Sequence, residues 1–482
     1  MAKKAKKIKR AAKFGAALSA LFALLIAVSP LVGCADGAGS DGTARNDGGK
    51  ITTDKNGLST DGGTSDDDGK TDNPDTLGYA ADCKFPDEMP VLEITTEGGA
   101  AVKSKTEYVS GAASLTEPLG EYSFENLSLQ IRCRGNWTYW GTGYDKKPYR
   151  LKFDEKINLL GLESGPSKNW VLLANFADHS MMRAASAFAA ARVLSHISYV
   201  TPSAYVMLTL NGEELGVYQL CAQIQTGKYR IKTDESSEEV DCDYLIELDA
   251  RAASSGEEGV DWFESGGRKF VIKNDVYSRD AADFLKDYFD RVLGAIESGD
   301  KAAVCELCDI DSFVDMYILQ EFVKNPDVGW SSFYIVKKAG GKLYLTSPWD
   351  FDLALGNYIA YGIKDSSGLF VGNENYAALA SSNPFFMGLC GCEWFADELV
   401  KERWEEVGEK MYNAAIGEIE RIYSAYADEF EKNFEIWDLL GKSVYPCPDS
   451  VATIDTLDRS VNQLGEYIKE RYEWLCGEFS GR

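Results

Sequence analysis

The apolar residues of this chain change period part-way along it. Over residues 127–133 they alternate with Ser128, Gln130 and Arg132. Over 149–154, Tyr149, Leu151 and Phe153 alternate with Arg150, Lys152 and Asp154. A repeat of two turns one side of an extended strand into a core and the other toward water. Residues 170–174 form an apolar run, and 205–210 and 215–221 flank Asn211-Gly212, a strong signal for a tight hairpin. Further strands are expected around 244–248 and 270–273, and an Ala-rich helix capped by Asp178 is expected to run to about Ser195. Beyond 275 the spacing becomes helical, over 281–296, 313–323 and almost everything after Trp394, with a break at Tyr445-Pro446-Cys447-Pro448. A short hairpin, 333–336 with 343–345 across Gly340-Gly341, interrupts the helices. This is the layout of an α+β protein, sheet-rich in its N-terminal part and helical in its C-terminal part.

The chain has 482 residues, 45% of them apolar, which is enough for more than one domain-sized core. Its first 33 residues read as a signal peptide. Seven basic residues, Lys3 to Lys13, precede an apolar stretch over 14–28 and then Leu31-Val32-Gly33-Cys34, which looks like a bacterial lipobox. Cleavage there would leave a diacylated Cys34 as the new terminus, tethering the protein to the membrane without spanning it. An extracytoplasmic, lipid-anchored location is therefore expected. Residues 35–78 are Gly, Asp, Ser and Thr with almost no large apolar side chains, so a disordered linker is expected there. The formal charge is −26, and losing the signal peptide would remove seven more positive charges. Nucleic acid and bare anionic lipid are poor partners for such a chain. Of eleven cysteines, ten would remain after lipidation, an even number that permits disulfides without revealing their pairing. Cys305 with Cys308, and Cys390 with Cys392, have the spacing of zinc half-sites but no histidine nearby, and His179 and His196 are the only histidines.

Two carboxylates stand out in SPWDFDLALG, residues 347–356. If the backbone stays extended through it, Asp350 and Asp352 share one face. Carboxylates roughly 5–6 Å apart repel by about 3 kcal/mol at an effective dielectric of about 20. Burial beside Trp349 and Phe351 adds a desolvation cost. A divalent cation removes both penalties, and carboxylates, with the amide oxygen of Asn357 or Asn325 as a further ligand, suit Mg²⁺ or Mn²⁺. Asp327 lies 23 residues before Asp350, and the hairpin between them can return the second acid to the first. Phosphoryl transfer uses such a pair, one Asp orienting the attacking hydroxyl and another holding the metal. The plainer reading makes Asp327 a turn residue after Pro326 and the other two acids loop caps.

At these residues the sequence resembles the spore-coat protein H (CotH) kinases. The matching stretches are RCRGNW (132–137), KKPYRLKFD (146–154), LLGL (159–162), KNWVLLANFAD (168–178), LNGEELGVYQL (210–220), DYLIELD (243–249), KNPDVGWSSFY (324–334) and KLYLTSPWDFDLALGN (342–357). The resemblance implies an atypical, protein-kinase-like two-lobe fold, with a kinase domain over 85–400 and residues 401–482 as a helical extension of it. It implies transfer of phosphate from ATP, with Mg²⁺ or Mn²⁺, to Ser or Thr of an exported protein. By motif position Asp327 is similar to the Asp that positions the acceptor hydroxyl, with Asn325 supporting its loop. Asp350 is similar to the metal-binding Asp, with Asp352 as second ligand or orienter. Lys152 is the candidate for the lysine on the nucleotide phosphates, beside Arg150, and Arg134 with Asn136 would contact phosphate in place of a glycine-rich loop. The family usually reads Thr-Glu-x-Ile-Glu after GVYQL, where this chain has Cys221-Ala222-Gln223-Ile224-Gln225, so both carboxylates are missing. Glu247 or Asp249, on the next expected strand, are the candidate substitutes. The alternatives are a catalytically degenerate surface scaffold and a glycan-binding lipoprotein, the latter suggested by Trp137, Tyr139, Trp140 and Tyr144.

Overall fold

A computed structural model describes residues 88–480, apart from 142, 235–238, 255, 275–277, 372 and 374–381. The expected signal peptide, Cys34 and the linker over 35–78 lie outside the described residues.

Seven strands close into a barrel: β1 (Val91–Thr96), β2 (Val109–Thr116), β3 (Phe124–Cys133), β4 (Tyr149–Ile157), β5 (Ser167–Leu173), β6 (Ser203–Leu210) and β7 (Glu213–Ala222). Their spatial order is β1-β2-β3-β4-β5-β7-β6, and a parallel pairing of β6 with β1 seals the ring. The alternation seen in the sequence decides which residues fill it. Ile131, Leu151, Trp170, Val206, Tyr218 and Leu220 point inward and are fully buried, so the barrel is a packed core rather than a pore. Arg150, Lys152 and Asp154 lie on its outer face. Asn211 and Gly212 join β6 to β7 with φ of 54° and 80°, the two positive values that a tight hairpin turn requires.

Five more strands form a second, antiparallel sheet: β8 (Tyr244–Leu248), β9 (Trp262–Ser265), β10 (Arg268–Ile272), β11 (Phe333–Lys337) and β12 (Leu343–Thr346), in the order β12-β11-β8-β10-β9. Sequence alone groups the strands near 244–248 and 270–273 with the N-terminal sheet. The structure instead joins them to the central hairpin β11–β12. Every residue of β8 and β11 is buried, which removes the alternation that would have identified their neighbours.

The helices are the one-turn α1 (Trp137–Trp140), then α2 (Arg183–Arg192), α3 (Arg279–Ser298), α4 (Lys301–Leu307), α5 (Ile310–Val323), α6 (Pro384–Leu389), α7 (Val400–Trp437), α8 (Asp449–Ala452) and α9 (Leu457–Phe479). Helix α2 starts four residues later than expected from an Asp178 cap. Asp178 still serves its first turn from outside, accepting from the Arg183 backbone N–H at 2.9 Å while pairing with the Arg183 guanidinium. One continuous apolar core runs from Met89 to Phe479, so the C-terminal helices belong to the same packed body as the sheets. Among the described residues no helix is long and apolar enough to cross a membrane. Among the described residues Cys305, Cys308, Cys390 and Cys392, the two pairs with zinc half-site spacing, are free thiols.

Helix α7 is fastened to the barrel by polar groups inside that core. Asn433 Oδ1 accepts from Lys146 Nζ at 2.8 Å and from the Val217 backbone N–H at 3.1 Å, and Lys146 also donates to the Val217 carbonyl. Lys146 is 1% exposed, and burial holds its pKa well below the ordinary value. Gly216, at φ 76°, leaves room for this contact, since a Cβ there would lie 2.6 Å from Asn433 Oδ1. Replacing Asn433 by Ala should strand two buried donors and cost about 2–4 kcal/mol. Urea unfolding should show this as a lowered midpoint at unchanged slope. A loss below about 0.5 kcal/mol would mean the two elements are held by packing alone.

Candidate active site

Two loops meet where α5 and β12 end. Helix α5 stops at Lys324, which adopts the left-handed φ of 48°. Its Nζ is cradled by three backbone carbonyls, Gly362 at 3.2 Å, Asp365 at 2.8 Å and Ser367 at 2.5 Å, and burial lowers its pKa to about 7. Asn325 follows, 3% exposed. Its Oδ1 accepts from the Asp327 backbone N–H at 3.0 Å, and its Nδ2 donates to the Trp349 carbonyl at 3.2 Å. One amide therefore both shapes the Asp327 turn and ties it to the stretch carrying Asp350.

That stretch is not extended. Strand β12 ends at Thr346, and Ser347 and Asp350 have φ of 47° and 71°. The expectation that a two-residue period aligns Asp350 with Asp352 is therefore replaced by a different device. Left-handed backbone, which Asp tolerates better than most residues, aims the Asp350 carboxylate, and Ser332 Oγ donates to its Oδ2 at 3.1 Å. Asn357 Nδ2 donates to the Asp352 carbonyl at 2.7 Å and to the Ala177 carbonyl at 2.9 Å, fixing the second acid's backbone.

The three carboxylates feel one another. The Asp327 carboxyl is pushed up to about 7, first by burial, then by Asp350 and Asp249, with Arg251 opposing. Asp352 is raised well above the ordinary carboxylate range, by burial and then by Asp350, Asp327 and Asp178. The loops thus bring Asp327, Asp350 and Asp352 into one electrostatic neighbourhood.

A cationic group lies at the end of the barrel where β3 finishes and β4 begins, and Arg251 acts both on its Lys105 and on Asp327. Lys105, Arg132, Arg134 and Arg150 act on one another. The Lys105 pKa is lowered by burial and then by Arg251 and Arg132. The Arg150 pKa is lowered by burial, with Arg132 and Arg134 adding to the effect. Asn136 accepts from Lys105 Nζ, so it holds a cation. The Arg134 guanidinium sits 5.6 Å over the Trp349 ring, which joins the barrel to the Asp350 loop. Arg150 Nε is buried with no hydrogen-bond partner. Lys152 projects from the same outer face of β4, two residues farther from this end, and is exposed.

Sequence reasoning missed Lys273. It pairs with Glu247 at 2.9 Å, and Glu247 also accepts from Tyr334 Oη at 3.1 Å. The Lys273 pKa is raised chiefly by Glu247, and Arg150 lies close enough to oppose it. Ala222 is fully buried inside the barrel, and the Gln225 side chain accepts from Asn169 at 2.9 Å. The carboxylate facing a lysine here comes from Glu247 on β8. Lys105, Arg251 and Ser332 also escaped notice. Lys105 and Ser332 stand in irregular segments, where no periodicity marks a side chain's direction.

Among the described residues no cluster of three or more His, Cys, Asp or Glu has metal-holding geometry. The donor chemistry still fits a hard cation. Asp350 and Asp352 would hold it, with phosphate oxygens and water completing the shell, as is usual for Mg²⁺. The unpartnered Arg150 Nε, among mutually repelling cations, fits an anionic phosphate.

The raised carboxyl of Asp327 has a signed consequence. Its ordinary pKa is 3.8 and its folded value about 7, so between those pH values the folded protein binds more protons and loses stability as pH rises. In metal-free buffer, Asp327→Asn should gain melting temperature over the parent progressively from about pH 4 to pH 7, then hold a constant advantage. A difference independent of pH would show that Asp327 is not crowded.

A family model described as CotH kinase protein matches residues 131–475. The match starts within β3 and ends within α9, so it takes in Asp327, Asp350, Arg132, Arg134 and Arg150 and the long C-terminal helices. No curated protein matches the chain. The chain belongs to the CotH kinase protein family.

Proposed function

We propose that this kinase-like enzyme is exported and lipid-tethered through Cys34, and that it transfers phosphate from ATP to Ser or Thr of exported or cell-surface proteins. The observation that carries this reading is that Arg134, one of the Lys105, Arg132, Arg134 and Arg150 cations, sits 5.6 Å over the ring of Trp349, the residue before Asp350 in the acidic loop. The acids suit a hydroxyl and a metal, the cations a polyphosphate. In a two-lobe reading the barrel forms the nucleotide side and the helical part the acceptor side.

Asp327 would orient the acceptor hydroxyl and take its proton. A carboxyl poised near pH 7 can do so at neutral pH without being a poor base. Asn325 is a positioning residue, because its amide sets the Asp327 turn. Asp350 and Asp352 would hold Mg²⁺ or Mn²⁺, which supplies charge neutralisation on the phosphate oxygens. Arg134 and Arg150 would face the phosphates, and Asn136 would orient Lys105 toward them. Lys273, braced by Glu247, is better supported as the phosphate lysine than Lys152, which lies farther along β4. The exposed indoles of Trp137 and Trp140, 41% and 73% accessible, favour glycan binding as a second reading.

Incubation of the protein with labelled ATP and Mg²⁺ or Mn²⁺ tests the reading. Transfer should vanish in Asp350→Ala and fall by about 10²–10³-fold in Asp327→Asn. No transfer with either metal, together with no nucleotide-dependent thermal shift, would leave the degenerate scaffold or the glycan binder.

The two lysines can be separated by their effect on the nucleotide. Lys273→Met should raise KM for ATP by about tenfold or more, the worth of one charge-assisted hydrogen bond, while Lys152→Met should leave it within about twofold. The reverse order would restore Lys152.

A further inference from the structure

The Ser332 hydroxyl donates to Asp350 Oδ2 at 3.1 Å. Both residues stand on left-handed backbone, at φ of 61° and 71°. Serine gains nothing from that conformation. Glycine adopts it freely and asparagine more readily, so at position 332 the hydroxyl is kept against the backbone preference.

The surrounding chain fixes its place from both sides. After it, Phe333 and Tyr334 pair with Leu248 and Glu247 in the β8–β11 ladder. Before it, the Trp330 carbonyl accepts from the Ala250 N–H at 2.8 Å, and the Trp330 and Ser331 N–H groups donate to the Asp327 carbonyl at 2.9 and 3.0 Å. The acid is held as well, because Asn325 Nδ2 donates to the carbonyl of Trp349, the residue before it. Ser332 and Asp350 are both half-buried, so the contact lies where a cation from solvent can arrive.

Resting on the reading of Asp350 and Asp352 as metal ligands, we propose that Ser332 is a positioning residue that occupies Asp350 Oδ2, presents Asp350 to the cation through Oδ1, and so selects Mg²⁺ or Mn²⁺ against Ca²⁺.

The selectivity follows from coordination chemistry. Mg²⁺ demands a near-octahedral shell with ligands at about 2.0–2.1 Å, keeps several waters and is satisfied by one or two carboxylates beside substrate phosphates. Mn²⁺ accepts the same octahedral oxygen shell. Ca²⁺ gathers about six to eight oxygens at longer distances and takes carboxylates through both oxygens where it can. Two carboxylates offer two oxygens each, and the hydroxyl engages one of them. Mg²⁺ and Mn²⁺ lose little, because each needs a single oxygen from Asp350. Ca²⁺ loses a bidentate ligand. The loops cannot swing to make up the difference, since Asn325 ties one and Asn357 fixes the Asp352 backbone. A serine that merely completed a turn would leave the three ions ranked as before.

The test titrates the whole chain in detergent with Mn²⁺ alone, counts bound ion by the loss of the free-ion paramagnetic resonance signal, and then adds Ca²⁺ as competitor. Asp350→Ala marks the binding that belongs to this site. Ser332→Gly is the informative variant, because glycine suits a φ of 61° and the fold should melt no lower than the parent. It should bind Mn²⁺ about tenfold more weakly, the usual cost of losing a group that orients a metal ligand. Ca²⁺ affinity should hold or improve, so the ratio of Ca²⁺ to Mn²⁺ affinity rises about tenfold or more. Equal weakening of both ions, or no change in either, overturns the proposal and leaves Asp350 as a metal ligand. Mn²⁺ binding that is absent, or that Asp350→Ala leaves unchanged, overturns the metal reading and the proposal with it.

Discussion

Crowding of like charge governs this structure. Three carboxylates, Asp327, Asp350 and Asp352, sit close enough that two of them hold their protons far above the ordinary range. No chain gathers such groups without a scaffold that resists their repulsion. Here it is built from buried polar side chains bonded to backbone. Asn325 links the two loops, Asn357 fixes Asp352, and Lys324 gathers three carbonyls of the segment that follows. Arg471 and Glu321 continue the frame. Glu321 accepts from the Phe370 and Val371 backbone N–H groups at 2.8 and 2.7 Å, while Arg471 donates to the Glu321, Ser366 and Gly368 carbonyls. Buried ions of this kind add little net stability but penalise any other arrangement strongly. The loops are thereby held in one conformation.

The barrel meets this acidic frame with its own unbalanced charge. Lys105, Arg132, Arg134 and Arg150 crowd at one end, where Asn136, backbone oxygens and aromatic faces receive them. Each half of the site is strained without its complement, and a metal with a polyphosphate would relieve both. The missing family carboxylates weigh less than the sequence implies. Ala222 faces the packed barrel interior, and Glu247 supplies a carboxylate to Lys273 from a different strand.

How much could be read from the sequence depended on how local each feature was. The hairpin β11–β12 and the acids on either side of it were legible, because glycines and a short alternating run lie within 30 residues. Barrel closure was not, since it requires Val91 to pair with Met207 across more than a hundred residues. Strand β8 was found but misplaced, because burial on both faces erases its period. The Lys273–Glu247 pair depends on the register of β10 against β8, which no local pattern encodes. At Asp350 the strand period was a misleading guide, because a left-handed residue breaks the strand where the site needs the carboxylate turned. Local rules fail at the place where geometry is set by function.

The central claim is that the acids and the cations form one site for a metal and a polyphosphate. A crystal structure with a non-hydrolysable ATP analogue and Mn²⁺, read at the manganese absorption edge, tests it most directly. The account predicts an anomalous peak about 2.1 Å from an Asp350 carboxylate oxygen, with phosphate oxygens bonded to Arg150 or Lys273. Manganese elsewhere, or a nucleotide bound away from both groups, would contradict it.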